Sequence, residues 1–279
     1  MNFFAVFAPL ALLLSALTCS STEQPALVST VQAQRLRTEV LTRYLPAQLV
    51  TNNSGLALPD YTHEGIVFKA VSQLKTVYTY DGQGRLLTKT VSEPFRPADP
   101  YGNNYTRRHT YVGNQLTTEN VGLSGKVIAT IRYQLNAQGY VIGDLNDPTQ
   151  QWLYDADHHL LRRNTIEQEF SGGNRISQFN INKEVTEYTH DLTQPNPILN
   201  PDEFYWGKSD RNRLTTSTVR TKNPTASVES VRTAYSYQTN AQNLASRRVA
   251  WQVSKPAPGY TMAQGQDNQQ LEITDYDYE

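Results

Sequence analysis

Val77-Tyr78-Thr79-Tyr80-Asp81-Gly82-Gln83-Gly84-Arg85-Leu86-Leu87-Thr88-Lys89 sets two strand-forming runs on either side of four turn residues. Val, Tyr and Thr suit a pleated surface, and Asp-Gly-x-Gly supplies a residue that takes positive φ and reverses the chain. The stretch reads as a β-hairpin. The same shape recurs outward from it. Tyr105 to Tyr111 meets Val112-Gly113-Asn114, and Ile128 to Tyr133 meets Leu135-Asn136-Ala137-Gln138-Gly139. Gln151 to Tyr154 meets Asp155-Ala156-Asp157-His158, and Glu167 to Phe170 meets Ser171-Gly172-Gly173-Asn174. Val231 to Tyr237 meets Asn240-Ala241-Gln242-Asn243, and Leu271 to Glu279 is one further alternating run. The spacing drifts, so this is no fixed-period solenoid.

The recurrence predicts an all-β chain. We expect a single wide antiparallel up-and-down meander of about 14–16 strands, curled into an open or barrel-like, porin-like sheet, because flat sheets beyond about ten strands curl or split. Leu36 to Leu45 fits a helical face or strand alternation, and the Thr and Val within it favour a strand. Three long connections interrupt the hairpins: Glu93–Asn104, Asp191–Asp210 and Lys255–Gln269, each rich in Pro and aromatic residues. Successive turns of a meander fall at opposite ends. The short turns are therefore expected at one end and the long loops at the other, where binding usually sits. A membrane-spanning barrel is not expected, since the strands lack a consistent apolar row with aromatic girdles.

Composition agrees. The 279 residues include 17 Tyr, only 38% are apolar, and the formal net charge is −1, so no basic field points to nucleic acid. A single cysteine, Cys19, excludes an internal disulfide framework and a thiolate zinc site.

Residues 1–19 carry no charge, and Phe3 to Leu17 is almost wholly apolar but short for a membrane span. A polar stretch, 20–34, follows as a flexible tether, and 35–279 reads as the β domain. Cys19, at the end of the apolar run, sits where the lipobox of bacterial lipoproteins has its lipidated cysteine. Thr18, Ala16 and an n-region without Lys or Arg depart from that pattern, and ordinary secretory cleavage and an uncleaved anchor are the alternatives. The expectation is export, with a lipid on Cys19 tethering the chain to the outer membrane on its periplasmic or surface face.

Tyr-x-Tyr-Asp-x-x-Gly-Arg-Leu resembles the YD (RHS-like) repeat. The succession Tyr133-Gln134-Leu135-Asn136-Ala137-Gln138-Gly139-Tyr140-Val141, Phe170-Ser171-Gly172-Gly173-Asn174-Arg175-Ile176, a long Asn196-Pro197 loop ending in Gly207-Lys208-Ser209, and a final Tyr-Asp-Tyr-Glu run resembles a family of Bacteroidota envelope lipoproteins of unknown function. That resemblance covers roughly residues 65–279 and implies a porin-like β-meander. It implies no activity, because the family offers no catalytic residues to carry over. Asp155-Ala156-Asp157-His158-His159 departs from it by lacking the turn Gly, which implies a wider turn there.

Candidate chemistry is sparse. Asp155, Asp157, His158 and His159 form the most metal-like cluster, but adjacent residues of a strand face opposite ways and the cluster occupies a turn position. Asp144-Leu145-Asn146-Asp147 lacks the Gly and distal Glu of a calcium loop. Asp275, Asp277 and Glu279 read as a solvated strand face. The pairs Arg107-Arg108, Arg162-Arg163 and Arg247-Arg248, with Arg211 and Arg213, read as dressing of an exposed face. Phe204, Tyr205 and Trp206, with Tyr101, Tyr105 and Tyr260, are the candidate ligand-binding aromatics, able to stack on sugar rings or to pin their loops to the sheet. No metal, cofactor or catalytic motif is expected. The leading reading is a non-enzymatic binding or scaffolding module with an envelope glycan or protein as partner. A glycan-acting hydrolase and an RHS-like shell fragment are the alternatives.

Overall fold

Among the described residues, the turns that begin at Asp81, Asn136, Asp155 and Asn240 share one hydrogen-bond scheme. The Asp81 carboxylate accepts the N–H of Gln83 (2.9 Å) and of Arg85 (2.8 Å), while the Asp81 N–H donates to the Arg85 carbonyl at 2.9 Å. Asn136 repeats this with Gln138 and Tyr140, and Asn240 repeats it with Gln242 and Leu244. The fourth residue of each turn is left-handed: Gly84 at φ 82°, Gly139 at 88°, Asn243 at 60°. An Asx side chain can satisfy two successive donors, and Gly or Asn tolerates positive φ, so the sequence signal is the physical cause of the turn. The Asp155 turn is not wider. Asp155 accepts the His159 N–H at 2.8 Å, its N–H donates to the His159 carbonyl at 3.0 Å, and His158 takes the left-handed place at φ 70°.

In this computed structural model the described residues are 34–51, 55–96, 103–180, 184–223, 226–255 and 268–279, with the side chains of 203, 204, 221–223, 226–230 and 268 left aside. They form 17 strands: β1 Leu36–Pro46, β2 Tyr61–His63, β3 Ile66–Tyr80, β4 Leu86–Ser92, β5 Tyr105–Val112, β6 Gln115–Gly122, β7 Val127–Leu135, β8 Val141–Asp144 and β9 Trp152–Tyr154. The rest are β10 Leu160–Arg163, β11 Ile166–Ser171, β12 Asn174–Asn180, β13 Glu184–Pro195, β14 Asn212–Asn223, β15 Ala226–Thr239, β16 Ala245–Ser254 and β17 Asn268–Tyr278. The ambiguous stretch at 36–46 is a strand, and the count passes the expected 14–16 because β2 and β9 have three residues each. One four-residue helix, α1 Glu203–Trp206, lies between β13 and β14.

Every registered pairing is antiparallel, and the ladders run around a ring. β3 through β8 pair consecutively, as do β9 through β17, and β1 closes the circle by pairing with β17 on one edge and β3 on the other. Among the described residues, only the β8–β9 seam lacks a ladder. There a single bridge joins Gly143 to Gln151, and the Tyr154 hydroxyl donates to the Val141 carbonyl at 2.7 Å. The fold is a nearly closed barrel, which removes the exposed edges that a wide open sheet would offer for aggregation.

Register fixes which side chains face inward. Lys89, Arg107, Asn120 and Ala129 stand opposite one another across β4–β7 and share the face of Tyr78, which lies in the lumenal core. The next row, Thr88, Arg108, Glu119 and Thr130, points outward. That row is not the apolar band a lipid-facing wall carries. A second core lies on the outer face, where Tyr44, Val249, Leu271 and Ile273 are covered by Leu56, Leu58 and Tyr61. Beside it Arg247 pairs with Asp275, and Arg37 with Asp277, so the last strand's acidic row is a charged outer face.

Candidate functional site

Residues 196–211 do not lie with the other long loops. Counting turns around the ring, Glu93–Asn104 and the β16–β17 connection fall at one end, but the β13–β14 connection falls at the short-turn end. The expectation that all three long loops share an end is therefore corrected. Two strands of 12 residues, β13 and β14, bring the chain back to the tight-turn rim before the loop begins. From there the segment folds into the lumen as a plug.

Its contacts reach around the ring. The Pro197 carbonyl accepts the Ala245 N–H of β16 at 2.7 Å. Tyr205 sits 5.2 Å from His109 of β5, and Trp206 lies 5.6 Å from Tyr133 of β7 and 5.9 Å from Trp152 of β9. Arg163 of β10 stacks over Trp206 at 4.2 Å. Local chemistry shapes the segment. Asn196 ties its two ends, with its amide donating to the Asp210 carbonyl (3.0 Å) and its Oδ1 accepting the Ile198 N–H (3.1 Å). The Asn200 Oδ1 accepts the Asp202 N–H at 3.0 Å, and Gly207 ends α1 at φ 89°, ψ 175°. The Lys208 N–H then donates to the His158 carbonyl at 2.9 Å, docking the plug on the β9–β10 turn.

The candidate aromatics separate accordingly. Tyr205 is 2% exposed, its hydroxyl donating to Asp202 at 2.7 Å, so its ring is core and meets no ligand from solution. Trp206 is half-buried and lines a cavity of about 300 Å³ between the plug and the barrel wall. Tyr105 lines a larger cavity of about 650 Å³ at the end opposite the plug, with Asn104, Arg107 and Asn120. Arg107 donates to the Asn120 Oδ1 at 3.1 Å and lies 6.0 Å from the Tyr105 ring. Leu123 and Ile128 give that mouth an exposed apolar rim. Cys19, Tyr101, Tyr260 and the Phe204 side chain lie outside the described residues.

Alternation splits every arginine pair. Arg107, Arg163 and Arg248 face the lumen, while Arg108, Arg162 and Arg247 face outward. The reading of these pairs as dressing of an exposed face holds for one member of each and is corrected for the other. Arg175, Arg213 and Arg248 also stack on inward tyrosines: Tyr188 at 4.3 Å, Tyr237 at 5.5 Å and Tyr235 at 5.9 Å. The signal was present in the sequence as a two-residue period, since adjacent residues of a strand never share a face.

The lumenal carboxylates hold structure together. Glu39 accepts the Tyr78 hydroxyl at 2.9 Å, Asp202 takes that of Tyr205, and Asp210 accepts the Arg175 N–H at 2.6 Å. Burial pushes the hydroxyl pKa of Tyr78 and Tyr205 far up, and the neighbouring carboxylates push in the same direction. Asp155, the metal-like candidate, is engaged by its own turn and by His159 Nδ1 at 3.0 Å.

His109 is expected to make the stability of the plugged lumen depend on pH. It is 4% exposed, its Nδ1 lies 3.1 Å from the Thr118 hydroxyl, and its pKa is pushed down from 6.5 to about 4. Burial is the main cause, Asp202 opposes it, and Arg107 and Lys89 add to it. The unfolded chain therefore binds the proton first. The contribution is whole above pH 6.5 and is lost as pH falls from there toward 4. Unfolding free energy is expected to drop by on the order of 2–3 kcal/mol across that window, and His109→Gln should flatten the slope. Urea titrations at stepped pH measure it; an unchanged slope in the variant would remove His109 as the cause.

No protein-family model matches the sequence, and no curated protein matches it. Among solved structures, a porin-like protein from Bacteroides uniformis matches with a TM-score of 0.54 and 14% identity, covering 88% of this chain and 98% of that one. A porin-like protein from Bacteroides vulgatus gives a TM-score of 0.26 at 8% identity over 87% of this chain and 98% of that one. The TcdB2-TccC3-Cdc42 structure gives 0.31 at 14% identity over 85% of this chain and 10% of its own. The chain has the fold of the first of these: an all-β, antiparallel, porin-like meander.

Proposed function

We propose that the protein is a non-enzymatic lipoprotein of the cell envelope, held to the membrane by a lipid on Cys19 and binding an envelope glycan through the lumen end opposite the plug. The observation that carries this reading is the cavity of about 650 Å³ with Tyr105 and Arg107 side by side on its wall. Its volume lies in the range of small-ligand pockets, and an aromatic face beside a guanidinium stacks on and hydrogen-bonds to a sugar. Barrel strands rather than loops carry both residues, which suits a preformed site. A hydrolase is less well supported, because Glu39, Asp202 and Asp210 are each committed to structural bonds.

A glycan array probed with wild type and Tyr105→Ala tests the binding site. The expected result is a defined set of glycans bound by wild type and lost in the variant, whose unfolding midpoint stays near that of wild type. Binding unaffected by Tyr105→Ala would discard this cavity, and turnover of a bound glycan would replace the reading with an enzyme. For the anchor, metabolic labelling with palmitate is expected to mark wild type and to fail in Cys19→Ala; equal labelling of both would refute lipidation at that residue.

A further inference from the structure

We propose that the smaller cavity, between the plug and the wall formed by β10–β16, is an anion site that takes the carboxylate or sulfate of a single monosaccharide-sized acidic sugar. This deepens the binding-module reading above and rests on it, but the site is a different one.

The arginines beside the plug are short of carboxylate partners. On the outer face Arg247 pairs with Asp275, Arg37 with Asp277 and Arg220 with Glu187. Facing the lumen, Arg43 pairs with Glu272 at the end away from the plug, but beside the plug Arg175 reaches the Asp210 carboxylate only at 3.9 Å, and Arg213 and Arg248 reach none among the described residues. Arg248 is half-buried, and among the described residues its one side-chain hydrogen bond is a long donation from Nη2 to the Thr274 hydroxyl at 3.3 Å. Its Nε has no partner, and neither do the buried Nε atoms of Arg175 and Arg213. Glu39, the carboxylate whose charge acts on Arg248, is already bonded by Tyr78. A buried charge without an opposite charge is costly unless something satisfies it. Tyrosine faces stabilise these cations only in part.

The cavity lies where that deficit is concentrated. Arg175, Lys208 and Arg248 line it, with Asp210 as the one carboxylate among the described lining residues. Asp210 is itself engaged: its Oδ1 accepts the Arg175 backbone N–H at 2.6 Å, while His190 Nε2 at 3.5 Å and Arg175 Nη2 at 3.9 Å stand against its other oxygen. Lys208 is exposed, so the cavity has a solvent-facing rim. A planar carboxylate or a sulfate entering there would meet donors from two guanidiniums and an ammonium, the strongest class of hydrogen bond available to it. Trp206 and Tyr237 add aromatic walls of the kind a sugar ring packs on. A volume of about 300 Å³ admits one ring and excludes a chain running through.

Isothermal titration of the purified full-length protein with glucuronate, glucose and sodium sulfate tests this. Glucuronate is expected to bind, to weaken as salt rises, and to exceed glucose by about tenfold or more. Lys208→Gln, at the exposed rim and harmless to the fold, should weaken glucuronate about threefold. Arg248→Gln should abolish the binding, with circular dichroism verifying that the barrel is intact. Equal affinity for glucose and glucuronate would overturn the anion assignment, as would full binding in both variants. Absence of glucuronate and sulfate binding at about 10 mM, the regime of the weakest specific complexes, would overturn it as well. Sulfate alone binding as tightly as glucuronate would strike out the sugar. A glycan-array signal lost in Tyr105→Ala, with no glucuronate bound in the titration, would leave the binding-module reading standing and remove this site.

Discussion

Tyr205→Ala should lower the unfolding free energy by about 3–5 kcal/mol, the cost of emptying a large aromatic site that cannot collapse. Tyr205 is 2% exposed and belongs to the core that joins Leu36, Tyr78, Leu86, Leu116, Tyr133 and Trp152, contributed by strands on opposite sides of the ring. Its ring centroid lies 5.2 Å from those of both His109 and Trp206. The truncation also leaves Asp202 without the hydroxyl it accepts at 2.7 Å. Tyr205→Phe separates the two effects, since it keeps the ring and should cost only about 1 kcal/mol. Urea unfolding followed by tryptophan fluorescence measures both variants. A loss below about 1 kcal/mol for Tyr205→Ala would mean that the plug adds little to barrel stability. Amide exchange adds a spatial test: fast exchange confined to 196–211 in the variant would mark the plug as a separately opening unit.

Much of the barrel was legible because its turns are local chemistry. Asp81, Asn136 and Asn240 each satisfy two N–H groups within four residues, and nothing distant is needed to form them. Ring closure was less legible. It depends on β1 reaching both β17 and β3, a pairing across more than 200 residues that no local pattern encodes. The plug was misplaced for a related reason. Glu184-Val185-Thr186-Glu187-Tyr188-Thr189-His190 is polar on both faces, so β13 gives a weak strand signal, and the loop after it has no visible parity. The lumen carries polar groups as well as the exterior does, which also hid the inward arginines. Reading aromatics near long loops selected Tyr105, which lines the larger cavity. The same rule selected Tyr205, which the barrel uses as core. Composition separates neither case, because a buried and a rim tyrosine are the same residue in the same kind of loop neighbourhood.

Gly207→Ala is expected to cost about 3 kcal/mol or more, far beyond an ordinary glycine replacement. The backbone there has φ 89° and ψ 175°, a region that only glycine occupies without strain. Space forbids the methyl too. A Cβ would stand 2.7 Å from the His158 carbonyl oxygen and 2.9 Å from Cε1 of Tyr154. The first of these is backbone, fixed by the Asp155 turn, and the same oxygen accepts the Lys208 N–H at 2.9 Å, so it cannot retreat without breaking the bond that docks the plug. Gly113→Ala is the control. Gly113 has φ 55° with no neighbouring atom in the way, so its replacement carries only the left-handed penalty of about 1–2 kcal/mol. The difference between the two variants isolates the contact from the conformation. Thermal or urea unfolding of both gives that difference directly. Equal losses would mean that the β9–β10 turn yields to the methyl and the docking is soft. The expected larger loss at Gly207 would instead tie the plug rigidly beside the β8–β9 seam, so that Trp206, with Arg163 stacked on it, and Lys208 keep fixed positions at the smaller cavity.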